Sequence, residues 1–423
     1  MVVRLSGALD VAAMQRAVGD VVDRHESLRT VYPASVDGPH QVVVPSERVT
    51  SKIAWEVSVD EEALDRRIAD LAREGGFDVS ANVPLRGSLF RVTPDDHVLA
   101  LVVHHISADG ASLEPLARDL TRAYAARAAK RAPDWSPLPV QYADYSQWQI
   151  ELLGSDDDPD TLEAKQLDYW TSTLAGLPDV IDLPLDRPRP AERSMRGESV
   201  RFSVPADVHS ELLELARNHN ATPFMVMHAV LAVLLARLSA SPDIAIGTPV
   251  GGRAEQVLDD LVGMFVNTVV LRITVDTAAT FEEILSRTRE VDLAAFGQAE
   301  VPFERVVDAV APERSSSRSP LFQVLLEFQN TADPPHLELP GLDVDVVPVD
   351  VGVAKFDLQL SLSEQRGKDG VPPWVSMPPS PMPPISSSAP QSPSSASVSS
   401  ASSGRSCRIQ QCQWGGIRKF WAR

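Results

Sequence analysis

Residues 97–124 constrain the fold more than any other stretch. His97-Val98-Leu99-Ala100-Leu101-Val102-Val103 is an apolar, branched run of strand length and reads as a buried strand. It ends in His104-His105-Ile106-Ser107-Ala108-Asp109-Gly110. Leu113, Leu116, Leu120 and Tyr124 then recur at helical spacing and mark one face of a helix. A buried strand followed at once by a loop and an amphipathic helix requires helices packed in layers on a sheet. It also sets two imidazoles, a carboxylate and a glycine where a rigid strand ends, a common place for a site. Histidine is the side chain whose ordinary pKa suits proton transfer near neutrality, so this loop is a candidate for acyl-transfer chemistry. A His-His pair at a strand end also serves purely structural ends, and the HxxxDG spacing alone is a weak motif. The surrounding segments decide between the two.

Those segments repeat the mixed pattern. Strands are expected over 2–5, 41–44, 52–57 and 89–92, the last paired with 97–103, and helices over 9–25 and 60–73. Residues 134–190 break the pattern with Pro137, Pro139, Asp156-Asp157-Asp158-Pro159, Pro184, Pro188 and Pro190 around one helix at 161–174. A second half follows, with strands over 200–204, 244–250, 265–275, 321–329 and 358–362. Its helices are expected over 207–218, 222–239 and 281–295. The expected organisation is an N-terminal lobe (1–160) bearing the histidine motif, an inter-lobe connection (161–190) and a C-terminal lobe (191–370). Residues 371–405 hold nine prolines and thirteen serines without periodicity, so 371–423 reads as a disordered tail.

Five of the 39 basic residues and none of the 58 acidic ones fall in that tail, so the preceding body carries a net charge of −24. Nucleic acid is therefore not an expected partner. Both cysteines, Cys407 and Cys412, are in the tail, which leaves the body without a disulfide framework, a thiol nucleophile or a cysteine zinc site. The longest apolar stretch, 224–238, contains His228 and Arg237 and is too short to span a bilayer; it reads as a buried helix. No membrane association is expected, and the location is read as cytoplasmic.

Taken in order, further motifs resemble the condensation domain of non-ribosomal peptide synthetases, a family with the chloramphenicol acetyltransferase-like fold. Arg24-His25-Glu26-Ser27-Leu28-Arg29-Thr30 precedes the His-His run. Tyr142-Ala143-Asp144-Tyr145-Ser146-Gln147-Trp148 follows it. Ile246-Gly247-Thr248-Pro249-Val250 then leads to Val262-Gly263-Met264-Phe265-Val266-Asn267-Thr268. Val301-Pro302-Phe303-Glu304 and Ser319-Pro320-Leu321-Phe322-Gln323-Val324 complete the series. The resemblance covers about residues 2–365. It implies an α/β fold: a two-lobed, chloramphenicol acetyltransferase-like pseudo-dimer of mixed sheets flanked by helices.

What it implies chemically is amide formation between a donor acyl or peptidyl thioester and the amine of an acceptor aminoacyl thioester. Both would arrive on the 4'-phosphopantetheine arms of upstream and downstream peptidyl carrier proteins, in a tunnel between the lobes, with an adenylation domain adjacent. No intrinsic cofactor or metal is implied. His105 would be the catalytic histidine, acting as a base or by holding the amine. His104 would support it. Asp109 would hold the loop by pairing with an arginine, Arg24 first and Arg253 second. Gly110 would sit where a side chain blocks the tunnel or where φ is positive. Arg24, Arg29, Arg253 and Asn267 are the expected structural supports, Asn267 as a bridge between lobes or loops. Tyr142, Asp144, Tyr145 and Trp148 are expected to pack the connection, and Gly247, Gly251 and Gly252 to allow close backbone approach.

Three departures from the family pattern stand out. Ala111 occupies a position usually aromatic. The family's first motif is not found ahead of 1–7. Beyond Lys355-Phe356-Asp357-Leu358 the proline-serine tail stands where a strand and a helix are expected. Back-translation of 373–387 permits a family-like segment in another frame, so a frameshift near residue 370 is expected, and the coding DNA tests it. Such a truncation allows an inactive fragment. A non-catalytic carrier-protein recruitment module and a stand-alone acyltransferase of the same fold also compete with the amide-forming reading.

Overall fold

The computed structural model describes residues 1–365 and 374–377, apart from 37, 74, 75, 186, 201, 314, 330–336, 350 and 351. The first half contributes β1 (Val2–Gly7), α1 (Val11–Arg24), β2 (Ile53–Ser58), α2 (Glu61–Arg73), β3 (Leu85–Thr93), β4 (Asp96–Val103) and α3 (Leu113–Ala128). The connection holds α4 (Tyr142–Leu153) and α5 (Leu162–Thr173). The second half runs β5 (Phe202–Val204), α6 (Ala206–Asn218), α7 (Pro223–Ser239), β6 (Asp243–Val250), β7 (Asn267–Thr274), α8 (Phe281–Phe296) and α9 (Phe303–Val310). It ends with β8 (Val324–Gln329), β9 (Leu342–Val346), β10 (Leu358–Gln365) and β11 (Trp374–Met377).

Local chemistry explains the key elements. Asp10 caps α1 by accepting from the Ala13 N–H at 2.9 Å. Ala13, Met14, Ala17, Val18, Val21 and Val22 then form one buried stripe. That stripe meets Leu116, Leu120, Ala123 and Tyr124 of α3 over the first sheet, and together they make the first lobe's core. In the second lobe α7 starts at the Thr222 cap with Pro223 in its first turn, where a missing N–H costs nothing. It is apolar nearly all round and lies buried, its tightest neighbours being α8, α6 and the sheet. Among the described residues no single helix is long and apolar enough to cross a membrane.

The first sheet has the order β9-β1-β4-β3-β2 and the second β7-β6-β8-β10-β11-β5, both mixed. The pairings β1–β4 and β3–β4 are antiparallel, which leaves the end of β4 central in its sheet.

Three features differ from the expected organisation. β9 comes from the second half of the chain but pairs antiparallel with β1, so the 191–370 segment is not a self-contained lobe. Its Leu-Asp-Val-Asp-Val sequence alternates cleanly but lies half-exposed at a sheet edge, where the apolar signal is weak. The helix expected to connect the lobes, α5, instead packs Trp170 and Leu174 into the second lobe's core. Within the tail expected to lack structure, β11 pairs antiparallel with both β10 and β5. The rest of that tail, with Cys407, Cys412 and the proposed frameshift junction near 370, lies outside the described residues.

Candidate active site

The histidine loop occupies the gap between β4 and α3. His104 leaves the sheet with its backbone N–H donating to the Pro84 carbonyl at 2.7 Å. Its Nδ1 accepts from the Ile106 N–H at 3.0 Å, so the neutral ring carries its proton on Nε2. Burial, with smaller contributions from His105 and from Lys355 of the second half, lowers the His104 pKa and favours that neutral form. Phe77 stands edge-on to the ring at 5.7 Å. His104 is thus tied down by its own loop. His105 differs: it opens a short 3₁₀ turn (His105–Ser107), its side chain is exposed, and among the described residues nothing hydrogen-bonds its ring.

Asp109 is buried at 5% exposure and anchors the loop from below. Its Oδ1 accepts from the Ser112 N–H at 2.9 Å, the Ser112 hydroxyl at 2.7 Å and Arg253 Nη2 at 3.1 Å. Its Oδ2 accepts from the Phe265 N–H at 3.1 Å. The arginine on Asp109 is therefore Arg253, not Arg24. Arg253 also donates to the Leu258 and Leu261 carbonyls at 2.5 and 3.0 Å and lies 4.0 Å over the Phe265 ring. One guanidinium thus organises the loop between β6 and β7 and carries it to the first lobe.

Arg24 belongs to a second buried cluster. It donates to Asp119 Oδ2 at 2.8 Å, beside His25 Nε2 at 2.9 Å, while Arg118 donates to Asp119 Oδ1 at 3.1 Å. Burial alone would raise the Asp119 carboxyl, but the hydrogen bonds and charges of His25 and Arg118 hold it at about 2. Arg118 reaches on to Asp260 of the β6–β7 loop at 2.6 Å. Arg29 is on neither cluster: it donates to the Val44 carbonyl at 3.0 Å and pairs with Glu26, bracing the turn after α1.

The remaining expectations divide. Asn267 bridges loops within the second lobe, donating to Ala299 and Val301 carbonyls at 2.7 Å each and accepting from the Thr268 and Phe303 N–H groups. Gly110 does not have positive φ, and a Cβ there would meet nothing within 4 Å; it faces open space beside exposed Ala111. Close approach is required instead at Gly252, where a Cβ would lie 2.2 Å from the Phe265 carbonyl, and at Gly247, 2.2 Å from the Phe322 ring. Gly251 has no such neighbour. Tyr142 donates to the Met264 carbonyl at 2.7 Å, and its ring, with Tyr145, packs around Phe265. Asp144 caps α4 by accepting from the Gln141 N–H at 2.8 Å. Tyr142 and Tyr145 therefore cushion the β6–β7 loop, whereas Trp148, expected to pack there too, is exposed beside the Tyr145 ring. His228 is paired with Asp292 at 2.7 Å in the second lobe's interior.

Residues 1–370 match the family model described as "Condensation domain". The chain belongs to the condensation domain family. A dimodular nonribosomal peptide synthase of Bacillus subtilis (strain 168) is 47% identical over 370 residues, covering 88% of this chain and 15% of that protein. The isonitrile lipopeptide synthase of Mycobacterium tuberculosis is 46% identical over 376 residues, covering 87% and 15%. The chain thus spans only a small part of these relatives' length. Among solved structures, the X-domain from teicoplanin biosynthesis superposes with a TM-score of 0.84 at 34% identity, covering 90% of this chain and 84% of that one.

For this condensation domain the motif reading missed one residue at the centre of the site. Ser112 is fully buried, and its Oγ lies within hydrogen-bond distance of Asp109, Arg253 and Gly263. Its only sequence signal is position: a serine three residues after a turn aspartate, ahead of a helix.

Proposed function

We propose that this condensation domain joins two carrier-bound substrates by forming an amide. The acceptor's α-amine attacks the donor thioester carbonyl; the N–C bond forms, the C–S bond breaks, and the donor arm leaves as a thiol that takes up the proton the amine loses. His105 is the group at the reacting amine, as base or as hydrogen-bonding holder. The observation that carries this is the contrast within one loop: an exposed, unengaged His105 between a self-bonded His104 and a buried Asp109 clamped to the second lobe. A free imidazole on a loop fixed at both ends meets the geometric demand of proton transfer.

The proposal includes substrates on 4'-phosphopantetheine arms of upstream and downstream peptidyl carrier proteins, a neighbouring adenylation domain, no cofactor of the domain's own and a cytoplasmic setting. The test is direct. Two carrier proteins loaded with aminoacyl thioesters are mixed with the chain, and the dipeptidyl thioester is sought by mass spectrometry. Product is expected, and His105→Ala should reduce it by about 10²–10⁴-fold. An unchanged rate in that variant removes His105 from the chemistry. A second reading, a non-catalytic recruitment module, is favoured by the likeness to the teicoplanin X-domain, whose complex with OxyB is among the solved structures. No dipeptidyl product from a folded, carrier-binding chain would select it.

A further inference from the structure

The loop that bears His105 is joined to the second lobe at Ser112, through contacts that do not need a charged pair. Ser112 Oγ lies 2.7 Å from Asp109 Oδ1 and 2.9 Å from the Gly263 carbonyl, and three donors, Arg253 Nη2 at 3.0 Å, the Gly263 N–H at 3.1 Å and the Asp109 N–H at 3.2 Å, converge within hydrogen-bond distance of it. A hydroxyl has a single proton and two lone pairs, so this oxygen is fully engaged. The side chain is completely buried. It touches the histidine loop, the arginine that organises the opposite loop, and the backbone of that loop at Gly263.

His105 has no side-chain tether of its own among the described residues, so its place is set by the backbone on either side. On the β4 side His104 is fixed to Pro84 within the first lobe. On the α3 side the fixed points are Asp109 and Ser112, and both hold the second lobe: the Asp109 N–H also donates to the Gly263 carbonyl at 3.0 Å. We infer that Ser112 is a positioning residue for the condensation reaction: its hydroxyl registers the His105 loop against the β6–β7 loop, so the placement of the imidazole depends on how the two lobes are seated. The inference rests on the amide-forming role of His105 proposed above.

Ser112→Ala removes the oxygen and leaves Asp109, Arg253 and Gly263 each short of a partner. In the full chain, turnover of loaded carrier proteins is expected to fall about 10–100-fold while the KM for the acceptor carrier stays within about twofold, because carrier docking does not use this buried joint. Asp109→Asn should act similarly, and the double variant should be no slower than the worse single one, since both break one unit. Asp260→Asn, at the exposed end of the same loop, is the comparator and should remain within about twofold of the parent. Ser112→Cys keeps the volume with a much weaker hydrogen-bonding group and replaces the alanine variant if that fails to fold.

The His105 ring resonances, read by NMR in the folded chain, give a readout independent of turnover. Ser112→Ala or Ser112→Cys should move them as Asp109→Asn does, and Asp260→Asn should not. Parent-like resonances and turnover in a folded Ser112 variant would overturn the inference. A parent chain without product, whose Ser112 variants still shift His105, would sink the amide-forming role and leave the positioning intact.

Discussion

Residues 251–266 and residues 337–347 both carry the second half of the chain onto the first lobe, but with different groups. The first crossing uses directional contacts: Arg253 and Ser112 on Asp109, the Ser27 hydroxyl on the Val262 carbonyl at 2.6 Å and Tyr142 on Met264. Val262 is also plugged into the first lobe's core. The second crossing pairs β9 with the edge of β1 through backbone bonds, continued by the Val347 N–H donating to Val2, and buries Leu337 and Leu339. Its strand is otherwise half-exposed. Apolar burial is non-directional and an edge ladder fixes little beyond register. Buried, charge-assisted bonds fix position and angle. The directional crossing lies under the histidine loop; the tolerant one lies at an edge of the sheet, two strands from β4.

Substitutions can break this contrast. Asp109→Ala should have the largest effect, about 3–5 kcal/mol of stability by denaturant unfolding, because it leaves Arg253 buried without its carboxylate. A loss below about 1 kcal/mol would mean the first crossing is no more specific than the second. Gly252→Ala should cost about 1–3 kcal/mol, since its Cβ would sit 2.2 Å from the Phe265 carbonyl and the loop must shift. Its thermal midpoint should fall accordingly, and a parent-like midpoint would show that the loop yields freely.

Acid should destabilise the first lobe beside this crossing in two stages. Burial lowers the pKa of His25, so below about 6.5 the unfolded chain binds the proton more readily and stability falls. Asp119 is held at about 2 against 3.8 unfolded, so its contribution is present above 3.8 and is lost as pH drops towards 2. That second stage amounts to roughly 2 kcal/mol, and Asp119→Asn should flatten it in a stability–pH curve. The smallest effect is expected at the other crossing. Val347→Pro deletes one edge hydrogen bond and should cost about 1 kcal/mol. A loss as large as that of Asp109→Ala would erase the difference between the two.

Much of the fold was legible because its signals are local. The apolar run ending β4, the stripe of α1 and the all-apolar α7 each announce an element without reference to any other part of the chain. β9 was not legible, because an acidic, half-exposed edge strand takes its meaning from β1, more than 300 residues away in sequence. α4 reads as a motif rather than a helix because its aromatic residues face the β6–β7 loop, not a continuous core. In the site, His104, His105 and Asp109 stood out by residue type and spacing. Ser112 did not, since a serine gains its meaning only from what its oxygen touches.

The choice of Arg253 over Arg24 for Asp109 shows the limit most plainly. Both arginines lie in or beside family motifs, and charge alone fits either. The sequence by itself determined the α/β class, the two-lobed plan, the family and the loop that bears the chemistry, because periodicity and motif order are properties of neighbouring residues. Only the tertiary structure decided which arginine meets which carboxylate, where the second half crosses back, and which hydroxyl pins the histidine loop. Those depend on distances of a few ångströms between segments far apart in the chain.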